Sequence, residues 1–350
     1  MDIVRNVSLE KYTTLKVGGN ADYFAVVKSL EEVKEVIVFA RDNNLSVFLL
    51  GGGSNILFPD QGFKGLVIKN EIKGIDMEGG ENRDDTSVTV RVGAGENWDS
   101  FVKFAVEREL WGVENLSGIP GTVGGAPVQN IGAYGQEVKD TIVAVDTIDM
   151  RTGKEKIFSN GECYFGYRDS FFKTEEGRNY FIISITFKLS RKPNPNISYK
   201  DLKNHFGEMD GSDIKIGEIR EAVLSIRKKK FPDLQIFGTA GSFFKNPIVT
   251  VSKFAELKEK YPDLPGYETK GGVKISLAWI LDSVLGLKGV KKGNVRLFEN
   301  QPIVLVAEKG STAKEVGEFA GSVAILVKDR LGIDVEWEVR RGASDTDEHK

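Results

Sequence analysis

Among 350 residues the chain has one cysteine, Cys163, and two histidines, His205 and His349. A lone cysteine closes no internal disulfide, and with so few histidines it completes no zinc site. A Ser-His-Asp hydrolase would have to rest on His205, because His349 lies in a polar tail. Long apolar runs are missing as well. No stretch approaches the ~20 apolar residues of a membrane helix. The opening Met1-Asp-Ile-Val-Arg5 is mixed in charge and has no apolar core of a leader. These absences predict a cytoplasmic protein with no membrane insertion. Charge of one sign is absent too. Lys+Arg 48 against Asp+Glu 51 leaves −3, which argues against a dedicated nucleic-acid partner. What is abundant is glycine: 39 residues, about 11% of the chain, against a usual ~7%. The hydrophobic share of 40% fits ordinary globular domains, and at ~150 residues each the length suggests two or three of them.

Periodicity supplies a coarse layout. Residues 22–27 read as a strand. A capping box at Ser29-Leu-Glu-Glu32 opens a helix with Leu30, Val33, Val36, Ile37 and Ala40 on one face. Strands follow at 45–50 and 66–69, with a turn at 60–65. The polar run 79–86 reads as an exposed hairpin loop, and 87–92 alternates as a strand does. A helix fits 99–110, a hairpin 141–159, and a strand 179–189. Arg191-Lys-Pro-Asn-Pro-Asn196 has linker composition and predicts a boundary near 191–213. Helices fit the stretch after Lys215 and 252–259, 276–285 and 311–330. A strand is expected at 334–340. The layout is α/β or α+β.

The glycines concentrate in Gly51-Gly-Gly-Ser-Asn55, in Ser117-Gly-Ile-Pro-Gly-Thr-Val-Gly-Gly125 and in Asn130-Ile-Gly-Ala-Tyr-Gly135. Such runs let the backbone approach a ligand closely and turn successive N–H groups towards a pyrophosphate. Neither a Walker A loop nor a GxGxxG fingerprint is present. Together with Glu114-Asn-Leu116 and Gln129, the three runs resemble the flavin-binding loops of UDP-N-acetylenolpyruvoylglucosamine reductases. The resemblance continues in order through Tyr167-Arg-Asp-Ser-Phe-Phe-Lys173, Gly241-Ser-Phe-Phe-Lys-Asn-Pro247 and Glu336-Trp-Glu-Val-Arg340.

That resemblance implies an α+β fold. A two-lobed FAD-binding domain of the vanillyl-alcohol-oxidase-like (PCMH) type is expected at 1–74 and 75–204, its first lobe completed by 332–350. A smaller α/β substrate-binding domain is expected at 213–331. FAD contacts are implied for Gly51, Gly52, Gly53, Ser54 and Asn55, then for Ser117, Gly118, Ile119, Pro120, Gly121, Gly124 and Gly125. Asn130, Gly132, Ala133 and Tyr134 complete that set. The implied reaction reduces the enolpyruvyl ether of UDP-N-acetylglucosamine to a lactyl ether, with NADPH as hydride donor. NADPH and the sugar nucleotide would take turns, and a monomer is expected.

Hydride addition to the vinyl CH2 carbon builds negative charge on the neighbouring carbon and its carboxylate, so the protein must supply charge and a proton. The resemblance implies Arg168 for the carboxylate, a role that suits a planar permanent cation. It implies Ser242 as proton donor, and Glu338 as the acid beside the developing enolate. Lys230, twelve residues before Ser242, is implied as a clamp on the diphosphate. Tyr199 matches a tyrosine on the substrate-covering loop of the longer, Escherichia-like type. Tyr167, Asn246 and Gln301 are expected substrate neighbours. Three departures stand out: Trp337 replaces a usual proline, and Phe298 and Ala307 stand where a histidine and an asparagine are common. Cys163 and His205 match no catalytic role. Another FAD-dependent oxidase or dehydrogenase of the same fold remains the alternative, and a flavin- or nucleotide-binding module without catalysis is a second rival.

Overall fold

The computed structural model describes residues 1–78, 86–209 and 213–342. Most of the polar run 79–86, and His349, fall outside the described residues. Contacts divide the chain into two units, one of residues 1–7, 21–52 and 64–227, the other of 8–20, 53–63 and 228–350.

The first unit contains a four-stranded sheet in the order Ile3–Ser8, Asn20–Val27, Phe63–Asn70, Val47–Leu50. Helix Leu30–Asp42 connects two of these strands. Ser29 caps it, accepting from the Glu32 N–H at 3.3 Å. Its Val33, Val36, Ile37 and Ala40 stripe is buried against Ala25, Leu66 and Ile68. Val47–Leu50 runs parallel to its neighbour, Val47 opposite Leu66, and delivers the chain into Gly51 and Gly52. A five-stranded antiparallel sheet follows, in the order Glu155–Ser159, Ile142–Asp149, Tyr180–Ser190, Ser87–Gly93, Ile75–Glu78. Phe158, Val145, Ile185, Val92 and Ile75 lie side by side across it. The first four are almost fully buried, each contributing roughly 1.5–3 kcal/mol to the core.

Helix Trp98–Val106 packs on that sheet through Trp98, Phe101, Val102 and Ala105. It is shorter than the expected 99–110, because Glu109 turns to φ 56 and the Leu110 N–H returns to the Ala105 carbonyl. The Trp98 indole N–H donates to the Leu116 carbonyl at 2.9 Å, which fixes the chain just before the second glycine run.

The stretch 191–213, where a boundary was expected, contains a short helix, Lys200–Phe206, and the division of contacts falls instead after residue 227. Leu202 and Phe206 bury with Trp111, Tyr134, Ile216, Ile219 and Val223. Helix Ile216–Lys230 therefore belongs up to residue 227 with the first unit, although its sequence position falls inside the expected domain 213–331.

The second unit holds two three-stranded sheets and helix Ala313–Leu331. A Thr312/Glu315 capping box starts that helix and Gly332 at φ +66 ends it. Asp60 accepts the Ala313 and Lys314 N–H groups at 2.7 and 2.9 Å, an anion at a helix N-terminus. The expected strand 334–340 forms ladder pairs only at its end, where Arg340–Arg341 pairs in parallel with Ile56–Leu57.

Candidate active site

In the first unit, Gly51 and Gly52 of the first glycine-rich stretch, the two later stretches and the Tyr167-Arg168 motif are tied to one another. A Cβ on Gly52 would lie 2.6 Å from the Gly121 Cα, and one on Gly51 would lie 2.7 Å from Thr122 Oγ1. The first two runs thus touch backbone to backbone, which only glycine permits. Gly118, at φ +70, is held on both sides. Asp99 accepts its N–H at 2.6 Å, and its carbonyl accepts from Arg227 Nε at 3.0 Å. Arg220 grips Asp99 with two bonds of 2.7 and 2.8 Å. Burial works against the Asp99 charge, but the Arg220 and Gly118 hydrogen bonds and the nearby Arg227 outweigh it and hold this carboxyl below its usual range. Arg220 and Arg227 stand seven residues apart on one helix, so both face this loop.

The third run carries two non-glycine residues in the left-handed region, Asn130 at φ 43 and Tyr134 at φ 48. Asn130 is buried, and its Nδ2 donates to the Gly166 carbonyl at 2.9 Å. Gly166 and Asp169 close a tight turn, the Gly166 N–H donating to the Asp169 carbonyl at 2.9 Å. Tyr167 and Arg168 form its tip. Arg168 is itself left-handed, φ 53, and its Nη2 donates to the Gly132 carbonyl at 2.5 Å. Lys173 Nζ donates to the Arg168 carbonyl at 3.0 Å, and the Arg168 guanidinium lies 5.6 Å from the Tyr167 ring centre. The expected carboxylate-binding arginine is therefore fastened to an expected flavin loop. Burial pushes the Tyr134 phenol up to about 12, keeping it neutral. Tyr199 sets its ring against Tyr134, centroids 5.4 Å apart.

In the second unit, Ser242 and Glu338 come together through the backbone. Residues 242–245 run between strand Gln301–Ala307 and the C-terminal segment. Phe243 N–H donates to the Ile303 carbonyl, and the Phe243 carbonyl accepts the Glu338 N–H, both at 2.9 Å. Asn55, from the first glycine-rich run, donates through Nδ2 to the Glu338 carbonyl at 3.0 Å. Trp337 is anchored by ring contact with Phe243 at 4.9 Å and by Arg341, 4.5 Å from its ring centre. Glu336 instead forms an exposed ion pair with Lys245, 2.9 Å long. The Asn246 Oδ1 accepts the Leu277 N–H at 3.0 Å, so its carbonyl oxygen supports a helix start. Lys230 is the last residue of its helix and half-buried, and half-buried Gln301 opens its strand. Phe298 and Ala307 are buried in the core.

The glycine runs fit the flavin dinucleotide that the resemblance implies. The Thr122 hydroxyl, held where the first two runs meet, is buried and finds no hydrogen-bond partner among the described residues. A Cβ on Gly125 would meet nothing nearer than Thr122 Oγ1 at 3.9 Å, so the backbone there stands clear. Thr122, inside the second glycine run, and Asn115, just before it, are not among the residues that the sequence points to. The signal at Thr122 was a hydroxyl between Gly121 and Val123, which carry no polar side chain; Asn115, between Glu114 and Leu116, carried no such signal. Among the described residues no group of three or more His, Cys, Asp or Glu could hold a metal ion, and no helix is long and apolar enough to cross a membrane.

Comparison with known proteins adds a second line. Residues 21–159 match the family described as FAD binding domain. Residues 232–341 match UDP-N-acetylenolpyruvoylglucosamine reductase, C-terminal domain. The UDP-N-acetylenolpyruvoylglucosamine reductase of Flavobacterium johnsoniae is 38% identical over 97% of this chain and 99% of its own length. That of Bdellovibrio bacteriovorus has the same identity and coverage. A crystal structure of the Thermus caldophilus reductase is 26% identical, covers 97% of this chain and 98% of its own, and superposes with a TM-score of 0.67.

Proposed function

The chain belongs to the UDP-N-acetylenolpyruvoylglucosamine reductase family, and from that premise we propose that it reduces the enolpyruvyl ether of UDP-N-acetylglucosamine to UDP-N-acetylmuramate, a peptidoglycan precursor, with NADPH as electron donor. It is an FAD-binding oxidoreductase with the α+β architecture of an FAD domain and a reductase C-terminal domain. The observation that carries the reading is the end-to-end match to named reductases, 97% of this chain against 99% of the relative.

FAD, held at the glycine-rich runs, would supply the hydride for the vinyl CH2 carbon. The chain's own residues manage charge and proton. Arg168, locked by Gly132, holds the substrate carboxylate as it gains charge. Ser242 gives a proton to the adjacent carbon. Serine is a weak acid, so this step needs a strongly basic acceptor, which an enolate-like carbon is. Glu338, the acid beside the enolate, shares its stabilisation with Arg168, and the bond from its N–H to the Phe243 carbonyl ties it to the segment that bears Ser242. Lys230 meets the diphosphate, while Tyr167, Asn246 and Gln301 line the sugar-nucleotide site. Tyr199 covers it, as in the longer type of the family. FAD is assigned to 1–204 and the sugar nucleotide to 213–331. The same reading makes the protein a cytoplasmic monomer.

An anaerobic absorption titration tests this. The flavin bands should bleach with NADPH and return when the enolpyruvyl UDP-sugar is added. Recovery with air alone, the sugar nucleotide being inert, would refute the substrate and favour an oxidase. Protein that stays colourless after FAD is supplied would refute the flavin. Initial-rate plots should give parallel lines.

A further inference from the structure

The proposed chemistry makes no use of Asn115, yet this residue is completely buried. Its Nδ2 donates to the Tyr134 carbonyl and to the Asn196 carbonyl, both at 2.8 Å. Its backbone N–H donates to Gln136 Oε1 at 3.2 Å. The side-chain amide can face two carbonyls only with its nitrogen. Its oxygen is left buried and without a partner among the described residues, a cost that some other gain must offset. Asn196 returns a bond to the same loop, donating through Nδ2 to the Gly135 carbonyl at 2.9 Å. Its Oδ1 accepts from the Ser198 N–H at 3.3 Å and the Ser198 hydroxyl at 2.7 Å, which sets the turn towards Tyr199. Tyr199 then closes the circuit with an edge-on contact to Tyr134, interplanar angle 84°.

We propose that Asn115 is a positioning residue that latches the segment bearing Tyr199 to the third glycine run. Flavin binding at residues 130–135 and placement of Tyr199 then become one coupled equilibrium. The inference rests on the reading that this run holds the flavin. A ligand that orders 130–135 must also order whatever is bonded to it, and linkage makes the effect reciprocal. Protein without flavin would hold the Tyr199 segment loosely and so would not form a productive cover over the sugar nucleotide.

Peptide-level hydrogen exchange on the full chain, stripped of FAD and reloaded, tests the latch at residues 130–136 and 195–201. FAD should slow exchange in both regions of the native protein by about 5-fold or more. Asn115→Asp keeps the shape but turns an oxygen towards both carbonyls. In that variant FAD should still protect 130–136, exchange at 195–201 should no longer respond, and FAD affinity should fall about 5-fold. Asn196→Ala keeps the bond from Asn115 and loses the one to Gly135, so it should weaken the response of 195–201. This change at a half-buried position carries the test if Asn115→Asp does not fold. Protection of 130–136 without any response at 195–201 in the native protein overturns the latch and leaves the flavin reading intact. Protection of neither region overturns both. A native response in Asn115→Asp removes the role of Asn115, and a native response in Asn196→Ala overturns the return bond to Gly135 as part of the latch.

Discussion

Replacing Asp99 with asparagine tests whether the second glycine run is held by charge. Asp99 accepts three bonds, from Arg220 at 2.7 and 2.8 Å and from the Gly118 N–H at 2.6 Å. Asp99→Asn keeps Oδ1 for two of them and turns an NH2 group towards the second Arg220 nitrogen. One bond is lost and the other two lose their charge assistance, worth about 1.5–3 kcal/mol per bond at full strength. The Asp99 side chain is 33% exposed and that of Arg220 12%, so the low end applies. The expected loss is about 2 kcal/mol. For a cooperative unit of about 200 residues that is roughly 4–8 °C in Tm of the FAD-free protein, read by calorimetry at pH 7.

The pH dependence carries a sign. The folded-state pKa of Asp99 is depressed, so its stabilisation is present above the unfolded value of ~3.9 and disappears as pH falls through the lower folded value. The gap between native and Asp99→Asn proteins should be constant from pH 6 to 8, by roughly the same few degrees, and should close below about pH 4. Because the Gly118 N–H then meets a neutral amide oxygen on a side chain that Arg220 holds by one bond fewer, FAD affinity should fall as well. A Tm change under about 1 °C at pH 7, or an undiminished gap at pH 3, would refute the claim that this ion pair sets the loop.

Three further outcomes are expected. Arg168→Lys should lower kcat/KM by about 100- to 1000-fold while FAD titrates normally, because lysine cannot hold Gly132 and a carboxylate in one plane; near-native kcat/KM would count against the carboxylate role. Ser242→Ala should still let NADPH bleach the flavin but lose most reoxidation by the sugar nucleotide, on the order of 4 kcal/mol of barrier by stopped-flow absorbance; normal turnover would sink the proton-donor assignment. Burial pushes the Cys163 thiol up to about 12, so a thiol reagent at pH 8 should leave the native protein unlabelled and modify one thiol per chain in denaturant. Rapid labelling of native protein would show that the residue is not held in the core.

The strongly periodic elements were legible in sequence because one physical signal decided them. The stripe of helix Leu30–Asp42 and the alternation of Ser87–Gly93 both match buried faces. Helix Lys200–Phe206 was not legible. Its flank of Pro193 and Pro195 reads as linker, and Leu202 and Phe206 bury against Trp111 and Tyr134, far away in sequence, together with Ile216, Ile219 and Val223 of the next helix. The C-terminal segment failed for the opposite reason. Its alternation at 334–340 is real, but its neighbours take single bridges, Phe244 opposite Trp337, in place of a ladder. At the candidate site the glycines pointed to the loops, since close backbone approach is a property of the residue itself. Asp99 and Arg220 gave no such pointer, because 121 positions separate two charges of common type.

The left-handed residues carry the remaining step. Where a turn needs positive φ, glycine meets the need without strain, and this chain has 39 glycines. Yet Asn130, Tyr134 and Arg168 occupy that region instead. Each costs on the order of 1 kcal/mol, Asn130 least, since asparagine tolerates it. Each is held by bonds that a glycine could only partly receive. Asn130 reaches Gly166 and accepts from the Lys139 N–H at 3.2 Å. Tyr134 brings its phenol beside the Arg227 charge and receives Asn115 on its carbonyl. Arg168 reaches Gly132 and receives Lys173. A fold that needed only to reverse direction would lose nothing by placing glycine at all three. A site that needs an amide, a phenol and a guanidinium aimed from tight loops must accept the strain, and the two loops that accept it, 130–134 and 166–169, are the pair that Asn130 and Arg168 staple together.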